Sequence, residues 1–185
     1  KAPDGPLRGV PVMIKDEWPL PWRAQRFGAA DLLANPQPGE SAPYVALREA
    51  GAVIVGVGNM HELGSGSTGA ISVYGAAHNP WDIERCPGGS SSGPAASVAG
   101  GLVAGAVGAD GLGSIRYPAA YCGLTGLKPT FGRSEMAVHP LPEVTETIVS
   151  GALTHDAADC RLLDSVLFGE ELPAGEPGAL RIGVI

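Results

Sequence analysis

Apolar positions along the chain fall into short runs separated by polar and glycine-rich segments. Val10 to Ile14 (VPVMI) predicts a short buried strand, with Pro11 placing it at a sheet edge or at the strand's start. Residues 19 to 41 are punctuated by Pro and Gly and read as loop. Ser41 suits an N-cap ahead of Tyr44, Val45, Leu47 and Ala50, which predicts a short helix ended by Gly51. Ala52 to Val55 is rich in β-branched residues and predicts a second buried strand, whereas Met60 to Leu63 reads as helical. A further helix is expected to begin near Pro94, which suits a first turn. Leu102 to Val107 fits a strand or a buried helix equally, since periodicity does not separate them. Asp156 to Phe168 sets Cys160, Leu163, Val166 and Leu167 on one helical face, and Arg181 to Ile185 (RIGVI) predicts another strand. Strands alternating with helices indicate an α/β fold with a largely covered sheet. A strand at the last residue implies that some partners of the sheet lie beyond these 185 residues.

Composition changes this picture in one respect. The chain holds 28 Gly and 17 Pro, about twice the usual combined share of about 12%. Disorder fits badly, because 44% of residues are hydrophobic and only 17% charged, and no G-X-Y period points to collagen. The remaining reading is a folded domain in which backbone shape matters unusually much. A net charge of −7, with scattered basic residues whose densest pair is Arg23 and Arg26, argues against nucleic acid as a partner. Cys86, Cys122 and Cys160 form neither a C-x-x-C pair nor an even set, so a disulfide framework and a zinc site are not expected. They favour a reducing compartment, and a cytoplasmic location is expected. Cys86 to Ala109 runs 24 residues without a charge, long enough to span a bilayer. Its seven Gly, four Ser and two Pro make it too polar and broken for that, so it reads as buried loop and core, with no transmembrane segment expected. The opening KAPDGPLRGV shows neither an initiator Met nor an apolar signal region, and the chain is expected to be a fragment or a processed product.

Three segments carry candidate chemistry: Gly9 to Asp16 (GVPVMIKD), Pro87 to Gly93 (PGGSSSG) and Gly108 to Arg116 (GADGLGSIR). Each alone has a plain alternative: a lysine snorkelling from a strand end, a serine-rich turn, a tight loop before a helix. Together they supply what amide hydrolysis without histidine needs. Ser114 follows Gly111 and Gly113, so the backbone N–H groups of Gly111, Leu112, Gly113 and Ser114 can converge as an oxyanion hole. Serine is a weak nucleophile until a base takes its proton. A lysine desolvated in a strand-end pocket loses its proton more readily, which fits Lys15 to that task, and a second serine can pass the proton between them.

At these segments the chain resembles the amidase signature hydrolases, whose catalytic set is Ser–cis-Ser–Lys. The resemblance runs almost from end to end: GPLRGVPVMIKD (5–16), LREAGAVIVG (47–56), NMHELG (59–64), NPWD (79–82), CPGGSSSG (86–93), GADGLGSIRYPAA (108–120) and CGLTGLKPTFGR (122–133). It implies an α/β amidase-signature fold with a mixed central sheet covered by helices on both faces. Residues 1–185 would be a partial domain, with family sequence missing before Lys1 and after Ile185. It implies Lys15 as terminal base, Ser90 as relay and Ser114 as nucleophile, with Ser91, Asp110 and Arg116 supporting them. It further implies hydrolysis of a small-molecule carboxylic amide through an acyl-enzyme, without metal or organic cofactor, and a homodimer is compatible with it. The H-E-L-G and G-G-S-S-S-G variants look most like the plant-type fatty acid amide hydrolase branch.

Departures from the family pattern motivate an alternative, a catalytically impaired amidase-like binding protein or a scaffold subunit of amidotransferase type. Ala109 stands where Thr is usual, and Leu112 where Gly is usual. A positive φ at Leu112 would carry about 1–2 kcal/mol of strain. Glu17 to Trp22 (EWPLPW) also replaces the usual continuation after Lys15. Other motifs compete for the same residues. Gly89 to Gly93 matches the G-x-S-x-G elbow, with Asp110 and then His139 or His155 in the order that triad requires, although Cys86 to Gly89 does not read as the strand an elbow leaves. Gly64 to Gly69 matches G-x-G-x-x-G but lacks a strand before it and an acidic residue about 20 positions on, so it reads as loop. His61 and Glu62 fail H-E-x-x-H because position 65 is Ser, and are expected to be structural. Asp110 and Arg116 read either as a charge pair bracing the Ser114 loop or as a surface pair. Cys86 reads as a packed thiol.

Overall fold

A computed structural model describes residues 3–30, 38–134, 146–175 and 178. Three strands run parallel: β1 (Pro11–Lys15) lies between β2 (Val53–Gly58) and β3 (Gly105–Asp110). β5 (Val149–Thr154) pairs antiparallel with β3, and the two-residue β4 (Thr125–Gly126) closes that edge, giving the order β2-β1-β3-β5-β4. The sheet is therefore mixed, as the resemblance implied. Among the described residues, four helices cover it: α1 (Ala42–Glu49), α2 (Ser92–Ala99), α3 (Arg116–Cys122) and α4 (Ala157–Phe168).

Side chains alternate across each strand, and this period of two divides the core into two layers. Val12 and Ile14 of β1, Val107 and Ala109 of β3 and Ala152 of β5 face one layer, with Leu47 of α1 and Cys160 and Leu163 of α4. Met13, Ala106 and Leu153, their immediate neighbours, face the other, against Ala95 and Val98 of α2 and Ala119 and Cys122 of α3. The chain passes from β1 through α1 to β2 on one face, then through α2 to β3 on the opposite face. Between β1 and β3 the direction of winding thus reverses, and open α/β sheets place their ligand crevices at the carboxyl ends of strands beside such a reversal. Lys15 ends β1 and Asp110 ends β3.

Several expected elements shift. Pro11 opens β1 at its start rather than at a sheet edge, where its missing N–H costs no ladder bond. β2 lies at the edge instead, and its Val53 and Val55 are 45% and 53% exposed, so the buried second strand is only half covered. The ambiguous run after Leu102 is a strand, displaced to Gly105–Asp110 and buried at every position. Met60 to Leu63 is not a helix: only Glu62–Gly64 form a single 3₁₀ turn. β4 and β5 have no counterpart in the apolar pattern, because Ser150, Gly151 and Thr154 interrupt the run in β5. α4 matches its expectation. Asp156 caps it by accepting the Asp159 N–H at 2.9 Å, and Gly169 ends it with φ +66°. The strand expected at Arg181 to Ile185 and the histidine His139 lie outside the described residues. Among the described residues, no helix is long and apolar enough to cross a membrane.

Candidate active site

The carboxyl ends of β1 and β3 open into a cavity of about 220 Å³ lined by Lys15, Glu17, Ser90, Ser114, Leu112 and Ile148, among others. Lys15 is fully buried. Its Nζ donates to Ser90 Oγ at 2.9 Å and to the Ala109 carbonyl at 3.3 Å, and lies 2.7 Å from Glu17 Oε2. Sequence reasoning named Lys15 and Ser90 but missed Glu17, which is also buried. The available signal was its place two residues beyond Lys15, just past the strand end.

Ser90 sits in a loop whose path is fixed by main-chain packing. The Gly89–Ser90 peptide bond is cis. A Cβ at Gly89 would lie 2.6 Å from the Gly66 carbonyl oxygen and 2.8 Å from the Gly69 nitrogen, so only glycine allows these two loops to meet. Gly64 to Gly69 is thus the wall of the Ser90 loop and, as expected, no dinucleotide fingerprint. The Ser90 carbonyl accepts the His61 N–H at 3.1 Å, and Ser91 N–H donates to the Ser114 carbonyl at 3.2 Å. That second bond joins the two serine segments directly. Ser91 Oγ donates to the Ala109 carbonyl at 3.3 Å, so the serine a G-x-S-x-G elbow would expose is turned into β3 and fully buried. It also enters from a loop rather than from a strand, and His155 is exposed.

The segment from Asp110 to Arg116 folds around one carboxylate. Asp110, fully buried, accepts from the N–H groups of Gly113 at 2.7 Å and Ile115 at 3.1 Å. It also takes a two-pronged bond from Arg116 Nε and Nη2, both at 3.0 Å. Burial works to raise the Asp110 pKa, but these bonds and the Arg116 charge outweigh it and hold the group below the usual carboxylate range. Of the two readings of Asp110 and Arg116, the brace around Ser114 is the observed one. Gly113 turns at φ +119°, a conformation only glycine takes without strain, and a Cβ there would strike the Tyr117 ring. Leu112 is not among the positive-φ residues and is 83% exposed, so the strain considered for it does not arise. Gly113 departs from expectation, since its N–H is committed to Asp110. The N–H groups of Gly111, Leu112 and Ser114, and the Ser114 hydroxyl, have no hydrogen-bond partner among the described residues.

Asp16, next to Lys15, turns the other way. It pairs with Arg23 and accepts the N–H groups of Arg26 at 3.2 Å and Gly28 at 3.3 Å, so the two densest basic residues hold a loop. Trp18 and Leu20 then enter the core beside Ile14 and Leu47, leaving Glu17 aimed into the cavity. His61 is buried, and burial holds its imidazole below the ordinary value against the opposing charge of Glu62. Cys86 is half-buried; burial pushes the Cys122 thiol up to about 11.

The family profile for Amidase matches residues 1–176. Among curated relatives, the chain is 41% identical over 167 residues to a Glutamyl-tRNA(Gln) amidotransferase subunit of Syntrophobacter fumaroxidans, covering 90% of this chain and 34% of the relative. It is 40% identical over 185 residues to the protein of the same name from Symbiobacterium thermophilum, covering 97% of this chain and 38% of the relative. Among solved structures, an amidase superposes with a TM-score of 0.85 at 38% identity, over 92% of this chain and 39% of that one. The native peptide amidase of Stenotrophomonas maltophilia gives 0.80 at 32% identity, over 88% and 34%. The chain spans little more than a third of the length of these relatives. The strand-end lysine, the cis loop and the clasped Ser114 segment thus occur in a chain that belongs to the amidase family.

Proposed function

We propose that this chain carries the acyl-forming centre of an amidase that cleaves a carboxylic amide C–N bond. The observation that carries the reading is the bond from Lys15 Nζ to Ser90 Oγ at 2.9 Å, in the cavity that Ser114 also lines. Neutral Lys15 takes the Ser90 proton while Ser90 takes that of Ser114, and Ser114 Oγ forms a bond to the amide carbon. The N–H groups of Gly111, Leu112 and Ser114 stabilise the oxyanion. As the tetrahedral centre collapses, the C–N bond breaks, and the proton on Lys15 returns through Ser90 to the leaving amine. Water then releases the acid from Ser114.

The test is labelling of the intact protein with a fluorophosphonate, read by peptide mass spectrometry. A tag on Ser114 that disappears in Ser114→Ala is expected. A tag on any other residue overturns the assignment.

A second reading draws on the relatives named as Glutamyl-tRNA(Gln) amidotransferase subunits: the same acyl-enzyme would serve transfer of the amine instead of its release. The two share every step up to the departure of the amine. Free amine in solution goes with hydrolysis, and amine released only when an acceptor is supplied goes with transfer.

A further inference from the structure

Glu17 is the only acid among the residues lining the cavity, and its carboxylate accepts no hydrogen bond among the described residues. The buried side-chain atoms without a hydrogen-bond partner there are Glu17 Oε2, Trp18 Nε1, Ser41 Oγ and His61 Nδ1, and of these residues only Glu17 lines the cavity. Glu17 is 2% exposed, so bulk solvent does not serve it. Lys15 Nζ lies 2.7 Å from Oε2 but outside the directions in which a carboxylate oxygen accepts, so their contact is one of charge. The neighbouring donors are spent elsewhere. Arg23 and the N–H groups of Arg26 and Gly28 bind Asp16, and Arg116 and the N–H groups of Gly113 and Ile115 bind Asp110. A buried acceptor without a donor is costly and rare, and here it belongs to the cavity in which the substrate must sit.

The proposed relay decides which part of a substrate meets this carboxylate. Lys15 Nζ touches both Ser90 Oγ, at 2.9 Å, and Glu17, so the serine and the acid are neighbours across one amine. The substrate nitrogen takes its proton from Ser90 and must come within hydrogen-bond reach of Ser90 Oγ. That places it beside Glu17, while the carbonyl oxygen meets the N–H groups of Gly111, Leu112 and Ser114. The arriving proton lands on the nitrogen's lone pair, so the N–H bonds of a primary amide survive the step and remain free to donate. We infer that Glu17 is a substrate-binding residue: its carboxylate accepts an N–H of the amide nitrogen and selects primary carboxamides over esters and tertiary amides. The inference rests on the proposed roles of Ser90 and Ser114. Glu17 gives and takes no proton, and no covalent bond to it forms or breaks. The selection comes from an asymmetry: a ligand lacking the donor leaves the buried acceptor unpaired, and a site built to bond a donor rejects the analogue without one.

The experiment measures how two molecules of the same shape protect Ser114 from fluorophosphonate labelling in the intact protein: benzamide, and acetophenone, in which a methyl group replaces the NH₂. Each variant is referred to its own labelling rate without competitor, so a change in the reactivity of Ser114 drops out of the comparison. In the native protein, benzamide is expected to protect at a concentration about ten- to a hundredfold lower than acetophenone. In Glu17→Leu and Glu17→Ala, which remove the acceptor, the two are expected to converge to within about threefold. Glu17→Gln keeps an oxygen acceptor and is expected to retain part of the difference. If Glu17 only holds Lys15 in place, the variants weaken both competitors alike and keep the native ratio; that result overturns the inference and leaves the relay standing. Equal protection in the native protein overturns it without any variant, which covers the case in which the variants do not fold. Absence of Ser114 labelling overturns the relay itself, and the inference with it.

Discussion

Asp110 and Asp164 are both fully buried carboxylates, one at the cavity end of β3 and one on α4 beneath the sheet, and their surroundings are built by opposite means. Asp164 stands among aliphatic neighbours of the α1 and α4 layer. Its partners are the Ala152 N–H at 2.9 Å and the Cys160 thiol at 3.4 Å, and burial pushes it up to about 6. Asp110 is wrapped by two loop N–H groups and the fork of Arg116, which overcome the same burial and keep it charged. The linkage signs are opposite. Raising the pH from the ordinary 3.8 to about 6 ionises Asp164 first in the unfolded chain and lowers stability, whereas the contribution of Asp110 is full above 3.8 and lost only as the pH falls further. The sheet's aliphatic layer supplies stability, and its strand ends supply fixed charge and aimed N–H groups.

The sharpest way to break this division is Asp110→Ala. It frees the N–H groups of Gly113 and Ile115 and lets Ser114 drift. Displacements of about 1 Å cost about 10²-fold in rate, so labelling of Ser114 is expected to fall by at least that factor while circular dichroism keeps the native spectrum. A variant labelled at the native rate would remove Asp110 from the positioning role. Leu163→Ala cuts into the aliphatic layer instead. Its expected loss is about 2–5 kcal/mol in denaturant unfolding, with the labelling rate of the folded fraction unchanged; a rate loss would mean that the two regions are coupled. The mildest variant is Leu112→Gly. Leu112 is exposed and unstrained, and such positions change stability by about 0.5 kcal/mol or less. The labelling rate is expected to stay within about threefold, and a large rise would revive the impaired-loop alternative.

The physics of each region also decides what could be read from sequence. α1 and α4 were legible because a cap residue and a 3.6-residue stripe are local signals: Ser41 and Asp156 stand where the helices begin. β5 was illegible because its burial comes from packing rather than from apolar residues. Gly151 lies against the Leu127 carbonyl, which no window over 149–154 reveals. At the cavity, Lys15, Ser90 and Ser114 were legible as motif residues. Glu17 was not, since its inward turn depends on Asp16 binding Arg23 and on Trp18 entering the core. Ile148 joins the cavity wall only through the pairing of β5 with β3. The commitment of Gly113 N–H to Asp110 was equally out of reach, because a glycine-rich run fixes how many N–H groups are present but not which way each one points.

The meeting of Gly89 with Gly66 and Gly69 has one more consequence. At that junction Gly89 meets the main chain of Gly66 and Gly69, so the path of the Ser90 loop is set by backbone packing. Leu112, exposed at the rim, is free of that junction. Substitutions at the rim can therefore reshape the mouth while the loop that carries Ser90 stays where it is. The molecule is partitioned into a part that can be retuned and a part that can only be kept or lost.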